Sequence, residues 1–313
     1  MDSTAYKSGF VTTGDGTRLH YLDWSGEGPA LLFLPGMGCS VHIFGRLAPR
    51  FTDRFRVLAL DRRGHGDSDY PESGYDANTL AEDLRQALDA LGIERVILAG
   101  HSLAYIELVH FSVLYPQRVL RLVFLDAAYD NSSPAYRAVM EKNPLSEMIP
   151  AWPEEEPATF EAYTHTLKRI YPALAVIWDE VMDEQTRHSV RTTPEGRVVD
   201  KMTDAISQAL TKTFNEYVPD YARIRAPVLG FFAIRDGSDY LSQDYMTEAQ
   251  QAQVLAYFRD ALGPYQQAFI REFRRALPQA RVVEIPGGHH CCFLKHEALV
   301  YEAMRAFLKK EAA

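Results

Sequence analysis

The stretch RVILAGHSLA, residues 95–104, decides the fold of this chain. Its first half is an apolar run of strand length, and the serine at position 102 is followed by a helical pattern. A serine on such a tight strand-to-helix turn is held at a strained backbone angle, and its hydroxyl projects from the edge of the sheet. Gly100 and Ala104 are small enough to let helix and strand approach, and the start of the helix offers free N–H groups near the hydroxyl. The stretch therefore predicts a nucleophilic serine, Ser102.

In the flanking sequence, strand patterns alternate with helix patterns, as in an α/β fold. Apolar runs at 29–34, 56–60 and 119–125 resemble the run before Ser102, and a helical pattern of leucines and alanines covers residues 80–91. Runs that are apolar on both faces suit strands buried between two layers of helices, which indicates a parallel sheet. Alternation of such strands with amphipathic helices predicts the α/β class.

The alternation of strand and helix patterns stops in the middle of the chain. From about residue 129 to 225 the pattern is mostly helical, and strand patterns return at 227–233 and 281–285. We therefore expect one sheet domain formed by residues 1–128 and 226–313, with a helical cap of residues 129–225 inserted into it.

Composition excludes several classes of function. The chain has 313 residues with 33 Lys and Arg against 42 Asp and Glu, a formal charge of −9 and no basic run, so nucleic acid and anionic membrane surfaces are not expected partners. No apolar stretch approaches the ~18 residues that span a bilayer, and no secretory signal is visible. The three cysteines, Cys39, Cys291 and Cys292, make a poor disulfide framework. These features favour a cytoplasmic protein.

A serine nucleophile needs a base that is held by an acid. The Gly-rich loop after the last apolar strand carries His289 and His290. Acid candidates at strand ends are Asp126 and Asp236, and either gives the order Ser, Asp, His along the chain.

Taken in order, five motifs resemble those of the α/β-hydrolase superfamily. They are LPGMG at 34–38, DRRGHGDS at 61–68, GHSLA at 100–104, the strand and acid at 227–236, and PGGHH at 286–290. The resemblance covers nearly the whole chain outside the middle block. It implies a mostly parallel eight-stranded sheet with helices on both faces and an inserted helical cap.

The resemblance also implies roles for individual residues. Asp236 stands nine residues after Pro227, where the family usually places its acid, and His290 stands four after Pro286, where it usually places its base. We therefore expect His290 rather than His289 to be the base. The backbone N–H groups of Met37 and Leu103 would form the oxyanion hole.

The resulting expectation is a cofactor-free serine hydrolase of the carboxylesterase type that acts on a small-molecule ester, as a monomer or homodimer. A lactonase, amidase, carbon–carbon bond hydrolase or perhydrolase would use the same three residues. A ligand-binding, receptor-like protein with little turnover is a further alternative. No group of residues has zinc spacing and no nucleotide-binding motif is complete, so neither a metal nor a cofactor is expected.

Two features are left open by the sequence. Tyr105 stands where many relatives have glycine, and it either fills a groove or forms a wall of the pocket. The segment 237–280 is longer than one helix requires, and it either extends the rim of the site or makes a dimer contact.

Overall fold

A computed structural model of the protein describes residues 5–309. Its strands are β1 Lys7–Thr12, β2 Arg18–Ser25, β3 Ala30–Leu34, β4 Arg56–Leu60, β5 Val96–His101, β6 Val119–Leu125, β7 Val190–Thr192, β8 Val198–Asp200, β9 Val228–Ile234 and β10 Arg281–Pro286. Eight of them form one sheet in the order β1-β2-β4-β3-β5-β6-β9-β10, and β7 and β8 form a separate small hairpin. Within the eight-stranded sheet that the described residues form, only the β1–β2 and β2–β4 pairings are antiparallel. The predicted eight-stranded, mostly parallel sheet is confirmed.

The helices of the described residues alternate with these strands or lie between β6 and β9 and between β9 and β10. They are α1 Ala77–Ala90, α2 Tyr105–Leu114, α3 Pro134–Met140, α4 Leu145–Met148, α5 Phe160–Ile170, α6 Pro172–Val176, α7 Glu180–Ser189, α8 Asp204–Glu216, α9 Glu248–Tyr257, α10 Gly263–Ala276, α11 Cys292–Lys295 and α12 Glu297–Leu308. A π-helix, Phe258–Leu262, joins α9 to α10.

The central strands of the sheet are buried between helices on both faces. All residues of β3 and β5 are buried. Since neighbouring side chains on a strand point to opposite faces, Leu32 and Leu98 pack with α1 and α2, while Leu31 and Ile97 pack with α12. Asp76 caps the start of α1, because its side chain accepts hydrogen bonds from the backbone N–H groups of Asn78 and Thr79.

The helices α3 to α8 and the β7–β8 hairpin lie between β6 and β9, in the part of the chain where the sequence predicts a cap. The segment 237–280 packs against this insertion: Val254 and Phe258 share an apolar cluster with Leu145 of α4. The segment therefore lies on the same side of the sheet as the start of the insertion. The division into core and cap domains stays a prediction.

Two other sequence features have clear positions. Cys291 and Cys292 are buried and Cys39 is half-buried, and all three are free thiols. Burial raises the pKa of Cys39 to about 12, so its thiol stays protonated at neutral pH. Within residues 5–309, no helix combines the length and the apolar character that crossing a bilayer requires.

Candidate active site

Ser102 lies on the turn between β5 and α2 with a backbone φ of 53°, a left-handed angle that is costly for a residue with a side chain. The turn is possible because small residues, Gly100 and Ala104, lie on either side of Ser102. A Cβ atom at Gly100 would lie 2.7 Å from Leu108 Cδ1 and 2.9 Å from Ala104 Cβ, so glycine is needed there. The strained turn that the sequence predicts is therefore present.

His290 is paired with Asp126. Its Nδ1 lies 2.7 Å from Asp126 Oδ2, and the second carboxylate oxygen accepts a hydrogen bond of 2.9 Å from the backbone N–H of Ala233. The Asp126 side chain is fully buried, whereas about a third of the His290 side chain is exposed. A buried carboxylate held by one N–H can orient the imidazole and favour its Nδ1–H tautomer.

The structure does not pair Asp236, the predicted acid, with the histidine. Asp236 is exposed, and its Oδ1 accepts hydrogen bonds from the N–H and the hydroxyl of Ser238 at 2.9 and 2.7 Å. Those two bonds lower the pKa of Asp236. The carboxylate closes its own turn, and His290 makes its hydrogen bond to Asp126 instead. The sequence Asp-Gly-Ser is a typical signal for such a turn.

His289 has a different environment from His290. Its Nε2 lies 2.9 Å from the carbonyl oxygen of Ala173, and its Nδ1 accepts a hydrogen bond from the N–H of Cys291. Burial lowers the pKa of His289 to about 4, so the ring is neutral at neutral pH. Both ring nitrogens are engaged by backbone, which leaves His290 as the histidine of the pair that meets Asp126.

The loop that carries Met37 lies against the Ser102 turn. A Cβ atom at Gly36 would lie 3.0 Å from Ser102 Cβ and 2.8 Å from His101 Nδ1. Arg62 donates from Nη1 to the carbonyl oxygen of Gly36 over 3.3 Å and forms a buried ion pair with Glu107 of α2. The arginine of the DRRGHGDS motif thus holds this loop.

Ser102, Asp126 and His290 line one cavity of about 150 Å³. Its wall also contains side chains that the sequence does not single out: Tyr129, Asn131, Tyr136, Phe214, Arg235, Leu262, Tyr265 and Gln266. Three of these belong to the segment between β9 and β10 that follows Gly237. The segment therefore contributes to the wall of the cavity.

Tyr105 forms part of the cavity wall rather than only filling a groove. Its ring is buried, meets Phe214 of α8 edge-on at 5.7 Å, and its hydroxyl donates to the Phe214 carbonyl oxygen at 2.9 Å. Burial raises the pKa of this phenol. Tyr105 therefore links the start of α2 to α8 of the insertion.

Replacing Tyr105 with Phe should lower the free energy of unfolding by about 0.5–1.5 kcal/mol, because a partly buried hydrogen bond to the Phe214 carbonyl oxygen is lost. Urea denaturation measures the change, and Tyr171→Phe, at an exposed tyrosine, is the control. Equal stability of Tyr105→Phe and the parent would show that this hydroxyl does not hold α8.

One group of side chains has the composition of a metal site. The ligand atoms of His42, Glu184 and His188 lie within 4.8 Å of one another. The two imidazole rings, however, are stacked at 3.6 Å and 12°, so their in-plane lone pairs do not converge on one ion. His188 Nδ1 also meets Asp67. The geometry does not favour a metal here, and the expected absence of metal and cofactor stays a prediction.

Comparison with known proteins places this geometry in a family. The family model described as alpha/beta hydrolase family matches residues 31–303. The 2-(acetamidomethylene)succinate hydrolase of Mesorhizobium japonicum is 41% identical over 101 residues, which are 32% of this chain and 36% of that protein. The non-heme chloroperoxidase of Streptomyces lividans is 35% identical over 122 residues, 39% of this chain and 44% of that protein. Each match thus spans less than half of the relative's length.

The fold is shared over a much greater length. A crystal structure of E-2-(acetamidomethylene)succinate hydrolase superimposes with a TM-score of 0.74 at 21% identity, covering 98% of this chain and 100% of that one. The family model covers most of the chain, and the sheet order and the strained Ser102 turn agree with it. The chain belongs to the alpha/beta hydrolase family.

Proposed function

We propose that the protein is a serine hydrolase that cleaves a carboxylic ester through an acyl-enzyme, with Ser102 as nucleophile, His290 as base and Asp126 as acid. The observation that carries this proposal is the His290–Asp126 contact of 2.7 Å at the wall of the cavity that also contains Ser102. Asp126 replaces Asp236 in the predicted triad. Met37 and Leu103 keep their proposed place in the oxyanion hole.

The proposed reaction follows from where protons can reside. With its Nδ1–H donated to Asp126, His290 has a free lone pair on Nε2 that accepts the Ser102 proton during attack on the carbonyl carbon. The Met37 and Leu103 N–H groups stabilise the oxyanion, and losing one such donor typically costs about 3 kcal/mol of barrier. His290 then protonates the leaving alcohol, and water activated by His290 releases the acid.

Amide hydrolysis is the second candidate. It is favoured by the Mesorhizobium relative, whose printed name describes a substrate with an acetamido group. The same three residues serve both reactions, with an amine in place of an alcohol as leaving group. Comparison of p-nitrophenyl esters with the matching p-nitroanilides separates the two.

A fluorophosphonate probe tests the nucleophile. The parent protein should gain the mass of one phosphonyl group, and Ser102→Ala should gain none, because only an activated serine attacks the probe at a useful rate. Ser238→Ala removes an exposed serine hydroxyl outside the cavity lining and should be labelled like the parent. Labelling that persists in Ser102→Ala would refute the assignment.

A further inference from the structure

Arg235 is a cation in the wall of the catalytic cavity. It directly follows β9, and its backbone N–H donates to Gln266 Oε1 over 3.3 Å, which ties the residue to α10. Its side chain lines the same cavity as Ser102 and His290. The hydrogen bond to Gln266 therefore fixes the backbone of Arg235, while its side chain faces the cavity.

The guanidinium has few partners of its own. Its Nε is buried without a hydrogen-bond partner, and its Nη1 has one long contact of 3.5 Å to the Tyr240 hydroxyl. Among residues 5–309, no carboxylate oxygen lies within 4.0 Å of an Arg235 nitrogen. A buried guanidinium ordinarily forms an ion pair, because removing its charge from water is costly.

The two nearby aspartates do not supply that ion pair. Asp126 uses one oxygen for His290 and the other for the backbone N–H of Ala233, and Asp236 closes its turn with Ser238. Burial lowers the pKa of Arg235, but the neighbouring Tyr240, Asp126 and Tyr129 outweigh it and raise the pKa above its usual value. Arg235 is therefore charged at any physiological pH and lacks an anion in direct contact.

The hydroxyl group of Tyr129 is a second hydrogen-bond donor in the same cavity wall as Arg235. Gln266 is fully buried and uses both amide hydrogens, one on the Tyr129 hydroxyl oxygen at 2.9 Å and one on the carbonyl oxygen of Ala233 at 2.7 Å. Because Tyr129 accepts from Gln266, its own hydroxyl hydrogen is available to an acceptor in the cavity. Arg235 and Tyr129 together present N–H and O–H donors to the same space.

We infer that Arg235, assisted by Tyr129, binds a carboxylate on the acyl part of the substrate, so that the enzyme prefers short acyl groups that end in a carboxylate over neutral ones. This inference rests on the proposed hydrolysis at Ser102. The planar fork of a guanidinium matches a carboxylate bidentately, and such charge-assisted bonds are the strong ones. The cavity that Ser102, His290 and Arg235 line is small, about 150 Å³, which favours a short acyl chain.

The test compares two substrates of nearly the same shape. 4-Nitrophenyl hydrogen succinate ends in a carboxylate, and 4-nitrophenyl levulinate has a methyl ketone in its place. After subtraction of the uncatalysed rates, the parent protein should show a kcat/KM at least about tenfold higher for the succinate, because the ketone offers one neutral oxygen in place of a charged carboxylate with two, and charge-assisted bidentate hydrogen bonds are the stronger ones. Arg235→Gln should bring that ratio to about one, mainly through a higher KM for the succinate.

Two variants serve as controls. Arg271→Gln removes one positive charge from an exposed position of α10 and should keep the parental ratio, which separates a local contact from the overall charge. Arg235→Lys keeps the charge but loses the fork and should give an intermediate ratio. A parental ratio of one, or a ratio that Arg235→Gln does not change, would overturn the inference.

Binding without turnover separates this inference from the proposed function. Glutarate should bind Ser102→Ala in calorimetry, and Arg235→Gln added to Ser102→Ala should weaken that binding at least about tenfold. Glutarate binding that depends on Arg235, in a protein that hydrolyses neither ester, would refute the proposed ester hydrolysis and keep the carboxylate site. Ester hydrolysis with glutarate binding that is absent or insensitive to Arg235 would refute the carboxylate site alone.

Discussion

Asp126→Asn should lower kcat for a p-nitrophenyl ester by about 10⁴-fold, whereas Asp236→Asn should leave kcat within about threefold of the parent. The reason is that the Asp126 carboxylate makes two hydrogen bonds, one with the backbone N–H of Ala233 and one with His290. The amide oxygen of the variant can still accept from the Ala233 N–H, which turns its NH₂ group toward His290 Nδ1. His290 must then accept at Nδ1 and carry its proton on Nε2, the tautomer that cannot take a proton from Ser102.

The comparison is well controlled because both substitutions are nearly isosteric. Asn tolerates the left-handed φ of 50° at position 126, so folding should be retained, and circular dichroism with a thermal melt checks this. At position 236 the amide oxygen can still accept the bonds of Ser238 in the exposed turn. A large loss in Asp236→Asn with a small loss in Asp126→Asn would restore Asp236 as the acid and contradict the assigned geometry.

The features that the sequence predicts well are local or periodic. The apolar runs that become β3 and β5 are buried along their whole length, which is why their pattern indicates central strands of a two-faced layer. The Ser102 turn is similarly local, since Gly100 must pack against Leu108 and Ala104 only a few residues away. Each of these constraints acts within one strand–helix unit and can therefore be recognised from residues that are close in the sequence.

The identity of the acid is not local. Asp126 and Asp236 follow adjacent parallel strands, and the choice depends on how far each strand extends. The Asp126 backbone N–H bonds to the Phe231 carbonyl and its side chain to the Ala233 N–H, so Asp126 lies level with the last residues of β9. Asp236 lies beyond the end of that strand, in a turn. Counting residues from Pro227 cannot reveal this offset between neighbouring strands.

Arg235 escapes sequence analysis for a related reason. A charged residue at a strand end is ordinarily solvated, and nothing in the neighbouring sequence shows that α10 will lie against it. Arg235 contacts α10 through its backbone and the cavity through its side chain, and only the fold brings these two surroundings together.

The buried ion pair of Arg62 and Glu107 should have the largest effect on stability. The two side chains are 3% and 2% exposed, and Arg62 Nε lies 2.5 Å from Glu107 Oε1. Glu107→Gln leaves the guanidinium without its counter-charge in an interior site, so the free energy of unfolding should fall by about 3–5 kcal/mol. Urea denaturation at neutral pH measures the loss, and Glu82→Gln, which breaks a partly exposed pair with Arg85 on α1, should cost less than about 1 kcal/mol.

Replacing both partners separates stability from catalysis at this site. The double variant Arg62→Met with Glu107→Leu buries no charge, and it should recover most of the stability lost in Glu107→Gln, because an apolar pair of similar volume is often as stable as a buried ion pair. It should still lose activity, by about 10²-fold in kcat, since Arg62 also donates to the Gly36 carbonyl and so holds the loop that places the Met37 N–H. Parental activity in a stable double variant would show that the loop holds its position without Arg62, and low stability in the double variant would show that apolar side chains cannot fill this site.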